Sequence, residues 1–240
     1  MHENDVALIV GAGPGLGSAL ARGFAGRGMR VAVARRNVES LAPLVAELGG
    51  KAKAYRCDAT NEDDVVRLLA AVQAELGTPR LTVFNAGAFV RKGVLETSTE
   101  EFERCWRVAC LGGFLVGRET VRAILAAKRG GRHQGTVIFT GATASLRGGA
   151  LFHNLAVGKF GLRALAQSMA REFQPQGVHV AHVIIDGQIQ GERPGYTAAE
   201  RGEDAVLDPN AIAATYYQLH IQPPSAWTLE LDLRPYVERF

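Results

Sequence analysis

The sequence predicts an α/β fold: a doubly wound parallel sheet of about seven strands with helices on both faces. Three observations carry that prediction. Short continuous apolar runs, of which Val6-Ala-Leu-Ile-Val10 is the first, suit strands buried on both faces. Segments of helical period separate these runs along the chain, as crossovers between parallel strands require. A glycine-rich turn, Gly11-Ala-Gly-Pro-Gly-Leu-Gly17, joins the first run to the first helix. The 240 residues, 47% of them apolar, can bury a sizeable core without a disulfide or metal staple. No repeat, linker or low-complexity tract divides them, so residues 1–240 read as one domain.

After the glycine turn, Ser18–Arg27 reads as a helix and Val31–Ala34 as the second strand. Val38–Leu48 forms the second helix, stopped by Gly49-Gly50, a usual helix end. Lys53–Tyr55 is a short third strand. Asn61 caps the next helix, whose opening Glu62-Asp-Asp64 complements the positive end of the helix dipole. Leu81–Phe84 is the fourth strand, and helical period then covers Thr99–Arg129 with a break near Gly112-Gly113. Thr136–Thr140 is the fifth strand, Phe152–Gln174 a long helix ended by Pro175 and Gly177, and Val178–Ile185 the sixth strand. Asp186–Leu207 has no clear period, contains Pro194 and is long for a loop, so residues 187–207 are expected to form a substrate or lid loop. Pro209–Leu219 is a short helix and Trp227–Leu233 the last strand, where Trp227, Leu229 and Leu231 alternate as core or subunit interface.

Charge and cysteine usage narrow the function classes. Lys and Arg number 27 against 24 Asp and Glu, a net charge of +3, with an isoelectric point near 8.9. Such a mild excess suits anionic small ligands and falls short of a nucleic-acid footprint. The tight basic clusters, Arg35-Arg36 and Lys128-Arg129, are not interleaved with aromatics as a single-strand binder requires. Cys57, Cys105 and Cys110 lack Cys-x-x-Cys spacing, which argues against a disulfide framework or a zinc site. Cys105 and Cys110 read as packing residues on one helix. His179 and His182 lie three apart on a strand and face opposite sides, so they cannot share a metal, and none is expected. The acidic Met1-His-Glu-Asn-Asp5 leads into a strand, so no signal peptide is expected, and no apolar run approaches the ~20 residues of a membrane span. The expected setting is cytoplasmic, with no nucleic-acid or membrane partner.

The glycine turn points to chemistry. Glycines let a backbone turn sharply and approach a pyrophosphate, whose charge then sits on free N–H groups at the helix start. The spacing over Gly11, Gly15 and Gly17 is Gly-x-x-x-Gly-x-Gly. Cys57-Asp58 follows the third strand, Phe84-Asn-Ala-Gly87 the fourth, Lys159 sits on the long helix, and Gly187 comes after the sixth strand. Together these motifs resemble the short-chain dehydrogenase/reductase family, from Val6 to about Leu233. The resemblance implies a Rossmann-type fold, a nicotinamide dinucleotide, a small-molecule substrate, and a homodimer or homotetramer. Pairing would use long helices and the last strand, and the apolar helices around Phe102–Val116 and Leu155–Phe173 fit that. It carries cofactor contacts onto Gly11, Gly13, Gly15, Leu16 and Gly17, onto Asp58 and Ala59 beside the adenine, and onto Asn85, Ala86 and Gly87. Lys159 would meet the nicotinamide ribose hydroxyls, and Asp186, Gly187 and Ile189 would lie near the carboxamide. At the end of the second strand an NAD site wants a carboxylate, whereas this chain has Arg35-Arg36, which could clamp a 2′-phosphate. NADP(H) is preferred over NAD(H).

The proton-transfer half of the family pattern is absent. The family's tyrosine, four residues before Lys159, falls at Leu155; its serine falls at Ala142, next to Thr143; its helix asparagine falls at Ala109. Its proline before Gly187 is Asp186, and its threonine at the end of that segment is Gly191. Candidates for the chemistry are Lys159, Thr143 as a hydroxyl beside the reacting oxygen, and His153 as a substitute acid, with Asp186 as a second candidate. The expected function is an NADP(H)-dependent oxidoreductase of a small carbonyl, alcohol or imine compound with non-standard acid/base groups. An iminium, already protonated, would need no tyrosine. The alternative is a catalytically inactive NADP(H)-binding sensor or partner subunit; a scaffold that binds no nucleotide conflicts with the preserved glycine turn.

Overall fold

The structure, a computed structural model, describes residues 4–127, 130–191, 195 and 197–238. Lys128, Arg129 and Pro194, on which expectations fell, lie outside the described residues. Strands β1 (Val6–Val10), β2 (Arg30–Arg35), β3 (Ala52–Arg56), β4 (Pro79–Phe84), β5 (Gly135–Thr140), β6 (Val178–Ile185) and β7 (Glu230–Leu233) form a seven-stranded sheet. Their order is β3-β2-β1-β4-β5-β6-β7, and every pairing is parallel. The doubly wound α/β prediction holds. Val10 pairs with Ala34 on one side and Phe84 on the other, so these three strands end level.

Side-chain alternation splits the core in two. Val6, Leu8 and Val10 join one apolar cluster with residues of α3 (Glu62–Glu75), α5 (Gly112–Ala126) and α6 (His153–Phe173). Ala7 and Ile9 join the other, with α1 (Leu16–Ala25), α2 (Ala42–Leu48) and α8 (Pro209–His220). Asn61 caps α3 as expected, accepting the Asp64 N–H at 3.0 Å.

Several element boundaries differ from the sequence reading. The helical stretch from Thr99 does not break at Gly112-Gly113. It runs as α4 (Thr99–Trp106), widens into a π turn over Arg107–Leu111, and continues as α5. The glycines serve packing instead: a Cβ on Gly113 would lie 2.3 Å from Leu162 Cδ1. Val38–Leu48 is a 3-10 turn, Val38–Leu41, followed by α2. The last strand is Glu230–Leu233, so Trp227 and Leu229 precede it and do not share a strand face with Leu231. Trp227 stacks on the buried His179 at 4.8 Å, Leu229 packs on one core and Leu231 on the other. Within 187–207, a bridge between Ile189 and Leu207 draws the two ends together. The single-turn α7 (Ala198–Arg201), with a Thr197/Glu200 capping box, is too short to show a period in sequence. Among the described residues, no helix is long and apolar enough to cross a membrane.

Candidate functional site

Sheet order reverses between β1 and β4, and the crevice outside their carboxyl ends is the place where such sheets take ligands. The glycine turn is pinned there from both sides. Gly11 and Ala12 donate their N–H groups to Ala34 O at 2.9 and 3.2 Å. Asn85 Nδ2 donates to Gly11 O at 3.1 Å, and the Asn85 N–H donates to Val10 O at 2.8 Å. A Cβ on Gly11 would lie 2.4 Å from Ala86 N, and one on Gly17 2.8 Å from Ala12 Cα, so neither position admits a side chain. Above Gly15, by contrast, the corresponding space is open to 4 Å. No side chain caps α1, which leaves N–H groups of its first turn for an anion. Crowding beneath the turn and open space above it fit a dinucleotide pyrophosphate.

Beside the turn, Arg35 Nη1 would come within 3.7 Å of a Cβ on Gly13, so this guanidinium overlies the glycines. Arg36 lines a cavity of about 310 Å³ together with Asp58, Thr60 and Val108. Asp58 is fixed in place, its Oδ1 accepting the Thr60 N–H at 2.9 Å and the Thr60 hydroxyl at 2.8 Å. Ala59 is buried next to it.

On the other side of the crevice lies Lys159 of α6, 6% exposed. Its Nζ donates to Thr140 O at 2.6 Å and stands 3.9 Å from the position of a Cβ on Gly87. Burial lowers its pKa from the ordinary 10.5 to about 8, because a charged ammonium loses its hydration there. Asp186, at the end of β6, is buried and accepts the Thr143 hydroxyl. Its other oxygen lies 3.2 Å from Arg234 Nη2. Gly187 has φ 141°, and a Cβ there would lie 2.8 Å from Pro235 Cδ, so glycine is required where the segment after β7 crosses. Ile189 follows, paired with Leu207.

The family model of short chain dehydrogenases matches residues 5–191. The chain belongs to the short-chain dehydrogenase family. A short-chain dehydrogenase/reductase of Armillaria gallica is 33% identical over 185 residues, which cover 75% of this chain and 69% of that protein. Sorbitol dehydrogenase of Cereibacter sphaeroides is 29% identical over 190 residues, 79% of this chain and 72% of the enzyme. Among solved structures, a short-chain dehydrogenase from Rhodopseudomonas palustris is 44% identical with a TM-score of 0.82, covering 98% of this chain and 100% of that one. A metagenomic short-chain oxidoreductase solved with NADP is 26% identical with a TM-score of 0.82, over 98% of this chain and 99% of its own.

In this member of the family the named candidates separate into two groups. Thr143 and Asp186 are brought into contact, while Lys159 is held at the end of β5. His153 is turned elsewhere. At about 100° per residue it lies about 200° around α6 from Leu155, and its ring stacks on Phe102 of α4 at 6.3 Å. Tyr216 comes near Lys159 through the sheet, its hydroxyl donating to Thr140 Oγ1 at 3.0 Å. It belongs to the core cluster on the opposite face and is completely buried, so it cannot stand in for a phenol in the crevice. Ala109, within the π turn, is buried, and a Cβ on Gly158 of α6 would lie 2.8 Å from its own Cβ. Sequence reasoning missed Arg234, which holds Asp186, and Arg104 and Arg107, which line the cavity beside Arg36. Nothing in their local sequence marks them; only the crossing of distant segments does.

Proposed function

We propose that this short-chain dehydrogenase is an NADP(H)-dependent oxidoreductase acting on a small alcohol, carbonyl or imine compound through a non-standard acid/base arrangement. The observation that carries the reading is the coexistence of an intact dinucleotide cradle with a half-buried Thr143 hydroxyl bonded to the buried Asp186, beside positions that hold no proton donor. Arg35 and Arg36, where an NAD site wants a carboxylate, support a 2′-phosphate. NADP in the related metagenomic oxidoreductase supports the same preference.

A nicotinamide bound in the crevice supplies or takes up a hydride. The protein's own groups manage position and charge. Gly11, Gly13, Gly15, Leu16 and Gly17 seat the pyrophosphate, and Asn85 ties the turn to the end of β4. Lys159, relieved of Thr140 O, can donate to ribose hydroxyls. Thr143 spends its hydroxyl hydrogen on Asp186, so its oxygen is left as an acceptor. An acceptor suits a substrate that brings its own proton: an alcohol to be oxidised, or a protonated imine to be reduced. Leu155 and Ala142 offer neither proton nor hydrogen bond to a carbonyl oxygen, which is the specific feature behind the rival reading of a nucleotide-binding protein without turnover.

The test is turnover of NADP+ with small secondary alcohols and of NADPH with cyclic imines and carbonyls. Thr143→Ala is expected to lower turnover at least about tenfold, whereas His153→Ala leaves it intact. The double variant Ala142→Ser, Leu155→Tyr is expected to gain carbonyl reduction. Absence of turnover in the parent together with a gain in the double variant decides for the inactive nucleotide binder.

A further inference from the structure

We propose that Arg104 of α4 is a second cation for the adenosine 2′-phosphate, lining one cavity with Arg36 and setting the preference for NADP(H) together with it. The inference rests on the NADP(H) reading and extends it to an element outside the glycine turn and β2. The cavity of about 310 Å³ draws its lining from two parts of the chain. Arg36, Asp58 and Thr60 come from the ends of β2 and β3, while Arg104 and Arg107 come from α4 and the π turn that follows it.

Carboxylates in this cavity are already engaged by the protein. Asp58 accepts both donors of Thr60. Glu103 pairs with Arg107 at 3.6 Å. The pKa of Glu100 is lowered by its own backbone N–H and by Ser98 at the start of α4. Glu101, the neighbour that feels the charge of Arg104, is bonded to Lys92 at 2.6 Å. Among the described residues, neither Arg36 nor Arg104 is held in an ion pair. Two guanidinium groups without a dedicated counter-charge therefore line one cavity beside the carboxylate expected at the adenine. A dianionic phosphate monoester answers that arrangement, because each planar fork can give it charge-assisted hydrogen bonds. A dinucleotide with a free 2′-hydroxyl makes no use of it.

The experiment is a fluorescence titration of the full chain with NADPH and with NADH, in the parent, in Arg104→Gln and in Glu103→Gln. Arg104→Gln is expected to weaken NADPH about tenfold and to leave NADH within about twofold. Glu103→Gln, which frees Arg107, is expected to tighten NADPH and not NADH. Equal weakening of both nucleotides by Arg104→Gln would overturn the proposal by placing Arg104 on the shared adenosine. No effect on either would overturn it as well. Failure of the parent to bind any nucleotide is a different result, since it removes the cofactor reading on which the proposal stands. Thermal melting of each variant separates a binding loss from a folding loss, and Arg104 lies on the exposed face of α4, so the fold is expected to stay intact.

Discussion

Lys159 shows how burial and function conflict at one side chain. Its ammonium is held in a desolvated crevice, with Thr140 O as its hydrogen-bond acceptor at 2.6 Å. With a native pKa of about 8 against an ordinary 10.5, the folded protein gives up this proton before the unfolded chain does. The unfolded state therefore binds more protons between those values, and stability rises with pH across that window. Below about pH 8 the full cost of the buried charge is present. Lys159→Met is expected to be more stable than the parent at pH 7, by about 1–3 kcal/mol, with the difference shrinking towards pH 10.5, while NADPH affinity falls. Urea denaturation at both pH values checks this; a variant less stable than the parent at pH 7 contradicts it. The identities of Lys159, Thr143 and Asp186 were legible in the sequence because motif spacing places them. Arg234 and Arg104 were not, since each meets its site across a distant crossing of the chain.

At the scale of elements, α6 is the piece on which the crevice is built. Asn154, 1% exposed, donates through Nδ2 to Val90 O at 2.7 Å and accepts the Val90 N–H at 3.3 Å. One side chain thereby bonds both backbone groups of Val90 in the loop that follows Gly87. Asn154→Ala leaves both backbone groups of Val90 without that partner, and the expected loss is about 1–3 kcal/mol of stability, measured by urea denaturation. Hydrogen exchange should show the loss of protection concentrated at Val90 and its neighbours; a uniform loss over the whole sheet contradicts the latch. The sequence revealed the existence and order of these elements, because strands buried on both faces and amphipathic helices leave different periods. It did not reveal the π turn over Arg107–Leu111 or the single turn Ala198–Arg201. A widened turn keeps helical spacing on either side, and four residues are too few to repeat. Gly112-Gly113 misled because glycine marks close packing as readily as a helix end.

For the molecule as a whole, the two cores divide the labour. One packs α1, α2 and α8 under the glycine turn, and the other packs α3, α5 and α6 under the crevice where Lys159 sits. The seven-stranded sheet between them holds the ends of β1, β4, β5 and β6 in fixed register, so cradle and acceptor pair face one space. A groove between α5 and α6, lined by Phe114, Val121, Leu165, Met169 and Phe173, lies on the long helices from which the family resemblance expects subunit pairing. On the proposed reading, this space takes a nicotinamide dinucleotide with a 2′-phosphate. Titration of the purified protein with NADPH and NADH, followed by fluorescence with Arg35→Asp in parallel, tests it most directly. Tight NADPH binding, weaker NADH binding, and a loss of the NADPH advantage in Arg35→Asp are the predicted result. Binding of neither nucleotide, or an NADPH affinity indifferent to Arg35→Asp and no better than that for NADH, would contradict it.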